Sequence, residues 1–454
     1  MTESNSRWYR TLSRRRVLQT VGAGTVVALA GCVGGDDDTD EPETEDPAGE
    51  TDGEAADAYA FAEDGVFELD TESGEATELA DTLGAGWEDI ISTSSYIFAV
   101  ENASSQVHVL DPAAGEVIQR IDVGSNPVHG AYLEDSDEVW VHSDDEAQFY
   151  IIDSESPAGV EETVAVGDAN TGHGKLAATG DGRLLVTNME KGGLFVVDTE
   201  GKETIDHIQL DDDDHDHDDN HDHDHDDTDY SYSTGSAVEF LHDDGGGTHY
   251  VAYNETSGLA FVEEMSEDDH HHHSGTGESE LQYLSGDGAE TSQLHDDDDA
   301  RTVIVDVETG EVTGSFDASG GLFGLAAHDT VAIIDGDDLH FVDATDDHGH
   351  EQETITLDGA SPGSIHYSET TAYTPNPQSG DISVLDLDSD EEIDRLDISG
   401  EDLGDLPAGS DGEQFVTVGE DTVIVVDMTE QELTEFDIPG VQIVGLPTAG
   451  AVSQ

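Results

Sequence analysis

The sequence predicts an all-β chain, a β-propeller of about eight four-stranded blades, with seven as the alternative count. Two observations carry this. One motif recurs eight times at a spacing of about 40 residues: a short β-branched strand ending in Asp, a turn, then a second strand ending near Gly. Beyond the N-terminal segment no apolar period of about 3.6 residues is present, so nothing there reads as an amphipathic helix. A single unit cannot bury both faces of its sheet, so the units must stack on one another and close into a ring.

In chain order, the first segment is an address. Ser13-Arg14-Arg15-Arg16-Val17-Leu18-Gln19 carries the twin-arginine pattern, which implies export of a folded protein. The apolar stretch from Val17 to Ala30 is shorter than the roughly 20 residues a membrane span needs. Leu29-Ala30-Gly31-Cys32 then reads as a lipobox. Residues 1–32 are therefore expected to be a twin-arginine lipoprotein signal, with lipid attached at Cys32. The mature chain would sit at the cell surface, on the outer face of the cytoplasmic membrane. Cys32 is the one cysteine, so no intrachain disulfide and no thiolate zinc site can form. Residues 33–57 are Gly, Asp, Glu, Thr and Pro without apolar periodicity, the composition of a disordered acidic tether.

The body spans 58–454. Copies of the motif begin at Val66 (VFELDTESGEATELAD), Val107 (VHVLDPAAGEVIQRIDVG), Phe149, Leu194, Thr302, Leu339, Ile382 and Val423. Upstream of them lie further strand pairs such as DEVWVHS and GRLLVTN, which makes four strands per unit. The copy near Ala58 lacks an inner strand, and the C-terminal GVQIVGLPTAGAVSQ ends where such a strand would lie. The N- and C-terminal strands are thus expected to share the closing blade. Two acidic, His-rich insertions, at 211–229 and 265–299, widen the spacing.

The chain has 12 Lys+Arg against 109 Asp+Glu, a formal net charge of -97. In dilute buffer such a chain repels itself strongly. In molar salt the Debye length falls to roughly 3 Å, and the charges serve to hydrate the surface. The acidity therefore reads as halophilic adaptation rather than as a partner signal. It argues against nucleic acid, whose phosphates need Lys and Arg.

Acidity does not explain the histidines. DDDDHDHDDNHDHDHDDTDY, from Asp211 to Tyr230, holds His215, His217, His221, His223 and His225, against 22 His in the whole chain. SEDDHHHHSGTGESE holds His270, His271, His272 and His273. His-rich tracts of this kind bind metal ions. Imidazole nitrogen suits Zn, Ni, Co or Cu(II), and carboxylate can complete the shell. The four Met and the single Cys disfavour Cu(I). His295, and His348 with His350 on a blade turn, extend the set.

A second class of histidine opens blades. His129 follows Asn126-Pro127-Val128, His173 follows Asn170-Thr171-Gly172, and His366 follows Ser364-Ile365. Inner strands line the channel of a propeller, so His129, His173 and His366 are candidates for one three-histidine site with an open fourth position. The alternative is that each is a hydrogen-bonded channel residue. His108, His328 and His340 read as structural.

Pro127-Val128-His129, Gly172-His173-Gly174, VHVLDPAAGE and the acid-histidine insertion together resemble the zinc metallochaperone AztD family. That resemblance implies an exported propeller which binds zinc and hands it to the solute-binding protein of a zinc ABC importer. It also narrows the metal to zinc, which the residues alone do not. One departure is present: a family step Leu-His-Gly reads Leu322-Phe323-Gly324 here. Two other functions stay open. A three-histidine site would serve a metal-dependent hydrolase, although no nucleophile motif is present, and a surface scaffold with metal-buffering tracts needs no inner site at all. No catalytic residue is assigned.

Overall fold

The computed structural model describes residues 58–446, apart from 64, 72, 81–85, 168–173, 211–246, 266–299, 319, 326–328, 347, 349, 358, 369, 388, 390, 399–402, 404–409, 411–412 and 420. The expected signal with Cys32, the tether, and all but Met265 of the two insertions lie outside the described residues.

Every long element among the described residues is a strand, and the strands form eight separate antiparallel sheets. Chain order makes these seven consecutive blades, at 87–122, 127–165, 176–208, 248–316, 321–356, 366–397 and 403–437, and one composite. The composite is the closing blade. Its inner strand is Val441–Gly445, and Ala58–Ala62, Val66–Asp70 and Glu75–Ala80 follow outward. Antiparallel pairs Ala60↔Val444 and Phe61↔Ile443 join the two chain ends. Eight blades, not seven, close this ring, and the ends share a blade as the sequence predicts. In the seventh blade Leu403 bridges Gly419 and Ser410 bridges Phe415, marking the inner edge of the strand Gln414–Val418.

The recurrent Asp has a local cause. It ends the third strand of each blade and its Oδ1 accepts from backbone N–H groups two residues on, three residues on or both, which folds the chain into the outer strand. Asp111 takes Ala113 and Ala114, Asp153 takes Glu155 and Ser156, Asp198 takes Glu200 and Gly201, and Asp306 takes Glu308 and Thr309. In the closing blade Gly74 follows Asp70 at φ 69°, and in the first blade Gly115 follows Asp111 at φ 63°, a conformation that costs glycine least.

Apolar burial lies between blades, not within them. Eight hydrophobic clusters are formed among the described residues, one at each blade–blade boundary. Trp140 and Phe149 of the second blade meet Leu184 and Phe195 of the third. Phe61 and Ile443 of the closing blade meet Trp87 and Ile97 of the first, and Ala58 and Val444 meet Val416 and Val425 of the seventh. The closing blade is thus packed on both sides, and the ring has no exposed sheet face to manage.

Candidate functional site

Strand alternation decides which end of the ring each residue reaches. Within a blade the four strands are antiparallel, so inner strands begin at the end where second strands finish. Segment 211–246 joins the outer strand Glu203–Ile208 to the inner strand Thr248–Asn254, and segment 266–299 joins the second strand Leu259–Glu264 to the third strand Arg301–Asp306. Both kinds of connection belong to one end of the ring. Their attachment points also touch: Met265 N donates to Gly247 O at 2.8 Å. Glu264 pairs in register with both Thr248 and Arg301, and its Oε2 accepts from Arg301 Nε at 2.6 Å.

That end also carries the starts of the inner strands. His129 is the third residue of Pro127–Leu133, and its ring is buried at 3 % exposure. Its Nε2 lies 3.0 Å from Lys175 Nζ of the third blade. Lys175 is itself buried, and its ammonium stands 5.8 Å from the centroid of the Tyr250 ring of the fourth blade. The Lys175 backbone N–H donates to Thr187 Oγ1 at 2.9 Å and reaches His249 O at 3.2 Å. His249 Nδ1 lies 3.7 Å from Glu263 Oε2, and the His249 ring leans on Tyr250. One chain of contacts therefore runs from His129 through Lys175 to Tyr250, His249 and Glu263, ending two residues from Met265 at the base of an insertion.

Glycines make this closeness possible. A Cβ on Gly130 would fall 2.3 Å from Ile91 Cδ1 and 2.8 Å from Trp140 O, and one on Gly174 would fall 1.9 Å from Thr187 O. The glycine after His129 and the glycine after His173 are thus packing requirements. The Gly130 N–H in turn donates to Asp89 Oδ2 of the first blade at 2.9 Å. Gly324, in the departing Leu322-Phe323-Gly324 step, has only Tyr253 O near a built Cβ, at 3.9 Å, so the same sequence sign there has no such cause.

His366 takes a different place. It opens the inner strand His366–Tyr367 of the sixth blade, four blades from His129 in a ring of eight, and so on the opposite side of the channel. Its ring stacks on Phe415 of the seventh blade, centroids 4.7 Å apart and 7° from parallel, while Nε2 meets Ser364 Oγ at 3.0 Å. Burial without a charged neighbour pushes its pKa down to about 4. His366 is a neutral core histidine. Its sequence sign, a histidine at the start of an inner strand, also fits residues turned into the neighbouring blade. His129 and His366 thus have different described neighbours; His173 lies outside the described residues, and among those residues no three His, Cys, Asp or Glu form a metal group.

The remaining histidines divide similarly. His215, His217, His221, His223, His225, His270, His271, His272 and His273 lie outside the described residues, as do His295 and His328. His348 and His350 are described, exposed, and sit on a third-to-outer turn, at the opposite end of the ring from the insertions. His108 and His340 are structural: His108 Nε2 meets Glu101 Oε2 at 2.9 Å beside the Trp87 ring, and His340 Nδ1 meets Thr354 Oγ1 at 3.1 Å. Sequence reading missed Lys175, His249 and Glu263. Lys175 had one legible sign, as the sole basic residue within a blade-opening motif; the other two had none.

Fold and site together define an eight-bladed propeller with a nitrogen- and carboxylate-bearing channel end from which two acid-histidine segments depart. No family model matches the sequence, and no curated protein sequence matches it. Solved structures do match in shape. Apo AztD from Citrobacter koseri is 14 % identical with a TM-score of 0.51, over 86 % of this chain and 96 % of that one. A second Citrobacter koseri AztD structure gives 13 % and 0.50 over the same shares. Hydrazine synthase of Kuenenia stuttgartiensis is 12 % identical at a TM-score of 0.47, over 80 % and 98 %. At these identities the two AztD structures bear on the fold alone, and they share the propeller with this chain.

Proposed function

We propose that the protein is an extracytoplasmic zinc carrier. The acid-histidine segments 211–229 and 265–299 collect zinc, and the adjoining ring end, with His129 and His173, holds one ion more tightly. The ion then passes to the solute-binding protein of a zinc ABC importer. The chain works from the outer face of the cytoplasmic membrane, exported by the twin-arginine route and held by lipid on Cys32. It acts by binding and transfer, not as an enzyme.

One observation carries this reading. The chain returns from segment 211–246 at Gly247, which is hydrogen-bonded to Met265, where segment 266–299 leaves, on the ring end that bears His129. This supports the reading that ligands for collection and a site for retention share one end of the molecule. The resemblance of the blade-opening motifs to the zinc metallochaperone family supports zinc as the cargo. The donor types agree with it, since neutral imidazole and carboxylate are ordinary zinc ligands.

The test is a zinc titration of the mature chain in molar KCl, with and without residues 211–229. One tight site that survives the deletion, together with loss of the weak sites, supports a collector feeding a ring site. Loss of all binding with the segment refutes the ring site and leaves a scaffold with buffering tracts.

A further inference from the structure

We propose that Lys175 is a tethered competitor for the metal: its ammonium occupies the nitrogen of His129 that a zinc ion would take, and must swing away for the ion to enter. The inference rests on the reading of this ring end as a metal site and adds a specificity- and release-setting residue to it.

The chemistry of the contact is one-sided. A lysine ammonium has three donors and no acceptor. At 3.0 Å from Nε2, Lys175 Nζ therefore donates, and His129 Nε2 accepts through its lone pair. His129 is then neutral, with its proton on Nδ1. The same lone pair is the one a divalent cation coordinates, so ammonium and metal exclude each other. His129 is held ready in the ligand tautomer while its lone pair stays occupied.

Placement of the lysine is specific. Beyond the N-terminal segment the chain has seven basic residues: Arg120, Lys175, Arg183, Lys191, Lys202, Arg301 and Arg395. Four of them make carboxylate pairs on the ring surface: Arg183 with Asp181, Lys202 with Glu138, Arg301 with Glu264, and Arg395 with Glu392. Lys175 is the one that counts as buried, at 8 % exposure, and its Nζ reaches an imidazole. Its backbone is pinned at Thr187, with Gly174 allowing no Cβ, so the side chain leaves from a fixed point. The four-carbon stem can still turn. The Tyr250 face, 5.8 Å from Nζ, offers the displaced ammonium a cation–π resting place.

Exchange of one cation for another suits a carrier. Entry of zinc moves one positive charge aside rather than leaving a bare lone pair behind, and the returning ammonium speeds departure. A hydrogen bond from a charged donor is worth about 1.5–3 kcal/mol net, so its removal should tighten zinc binding by roughly tenfold or more.

The experiment titrates zinc chloride, against a chromophoric chelator in molar KCl, into the mature chain and its Lys175→Met, Lys175→Arg, His129→Ala and doubly substituted Lys175→Met/His129→Ala forms. Zinc dissociation is followed after mixing with excess chelator, and NMR of nitrogen-labelled histidine is recorded without metal. The expected results are tighter binding and slower release in Lys175→Met, near wild-type behaviour in Lys175→Arg, and loss of the gain in the double variant. Without metal, the His129 Nε2 resonance should move in Lys175→Met and hold its position in Lys175→Arg. Equal or weaker zinc binding in Lys175→Met, in a chain whose tight site is lost in His129→Ala, overturns the competitor role and leaves the metal site standing. A wild-type ring whose zinc binding is unaffected by His129→Ala overturns both.

Discussion

Replacement of His366 by Phe tests whether this residue belongs to the core or to a solvated channel site. Burial against Phe415 holds its pKa near 4, against 6.5 for an ordinary histidine. The unfolded chain therefore takes up a proton near pH 6.5, while the folded chain does so only near pH 4. Between these values the unfolded state binds more protons, so this residue's contribution to stability is complete above the upper value and falls as pH drops. Over the whole window the loss amounts to about 3 kcal/mol, with roughly half of it gone midway. Phe keeps the stacked ring and cannot titrate. It also removes the partner of Ser364 Oγ, a cost of about 1 kcal/mol that is the same at every pH. The assay is urea unfolding of both forms in molar KCl from about pH 7 to about pH 4, comparing the difference between them. That difference cancels the titration of the many carboxylates common to both chains. It should move by about 3 kcal/mol in favour of the Phe form on acidification, from wild type the more stable at neutral pH to Phe the more stable near pH 4. A difference flat in pH would mean that His366 is hydrated and titrates ordinarily, which would refute the core assignment and return it to the channel.

Four further outcomes are expected. Gly130→Ala places a methyl carbon 2.3 Å from Ile91 Cδ1, so it should lower the urea midpoint by the equivalent of about 2 kcal/mol or more. Asp111→Ala deprives the Ala113 and Ala114 N–H groups of their acceptor; a loss of about 1 kcal/mol, read from the same unfolding curves, is expected. Removal of residues 441–454 strips buried Val441, Ile443, Val444 and Leu446 from the closing blade, roughly 6 kcal/mol or more of burial. That is comparable with the whole stability of a domain, so rapid proteolysis and loss of cooperative unfolding should follow. Transfer from molar KCl to dilute buffer should lower the melting temperature markedly, because a net charge of -97 is then unscreened.

The two kinds of histidine show how far sequence reading reaches. The repeated Asp was legible because its work is local: its side chain serves N–H groups two and three residues away, so one short motif records it in every blade. The composite closing blade was legible too, since a copy without an inner strand and a C-terminal strand without a blade fit only each other. The pairs Ala60↔Val444 and Phe61↔Ile443 realise that match. His129 and His366 both stand near the start of an inner strand, yet one meets Lys175 and the other stacks on Phe415. Which neighbour a side chain meets depends on the adjacent blade, and a motif within one blade carries no record of it.

The sequence by itself determined the all-β class, the repeat, the closure by both chain ends, the acidity and the histidine-rich segments. These are properties of composition and of contacts within one repeat. Tertiary structure alone decided for eight blades over seven, for the contact of Gly247 with Met265 where segments 211–246 and 266–299 attach, and for the grouping of His129, Lys175, Tyr250, His249 and Glu263. Those residues come from three blades and stand up to 134 positions apart, from His129 to Glu263. Ring closure brings them together, because the packing of apolar faces between blades fixes each inner strand against its neighbour.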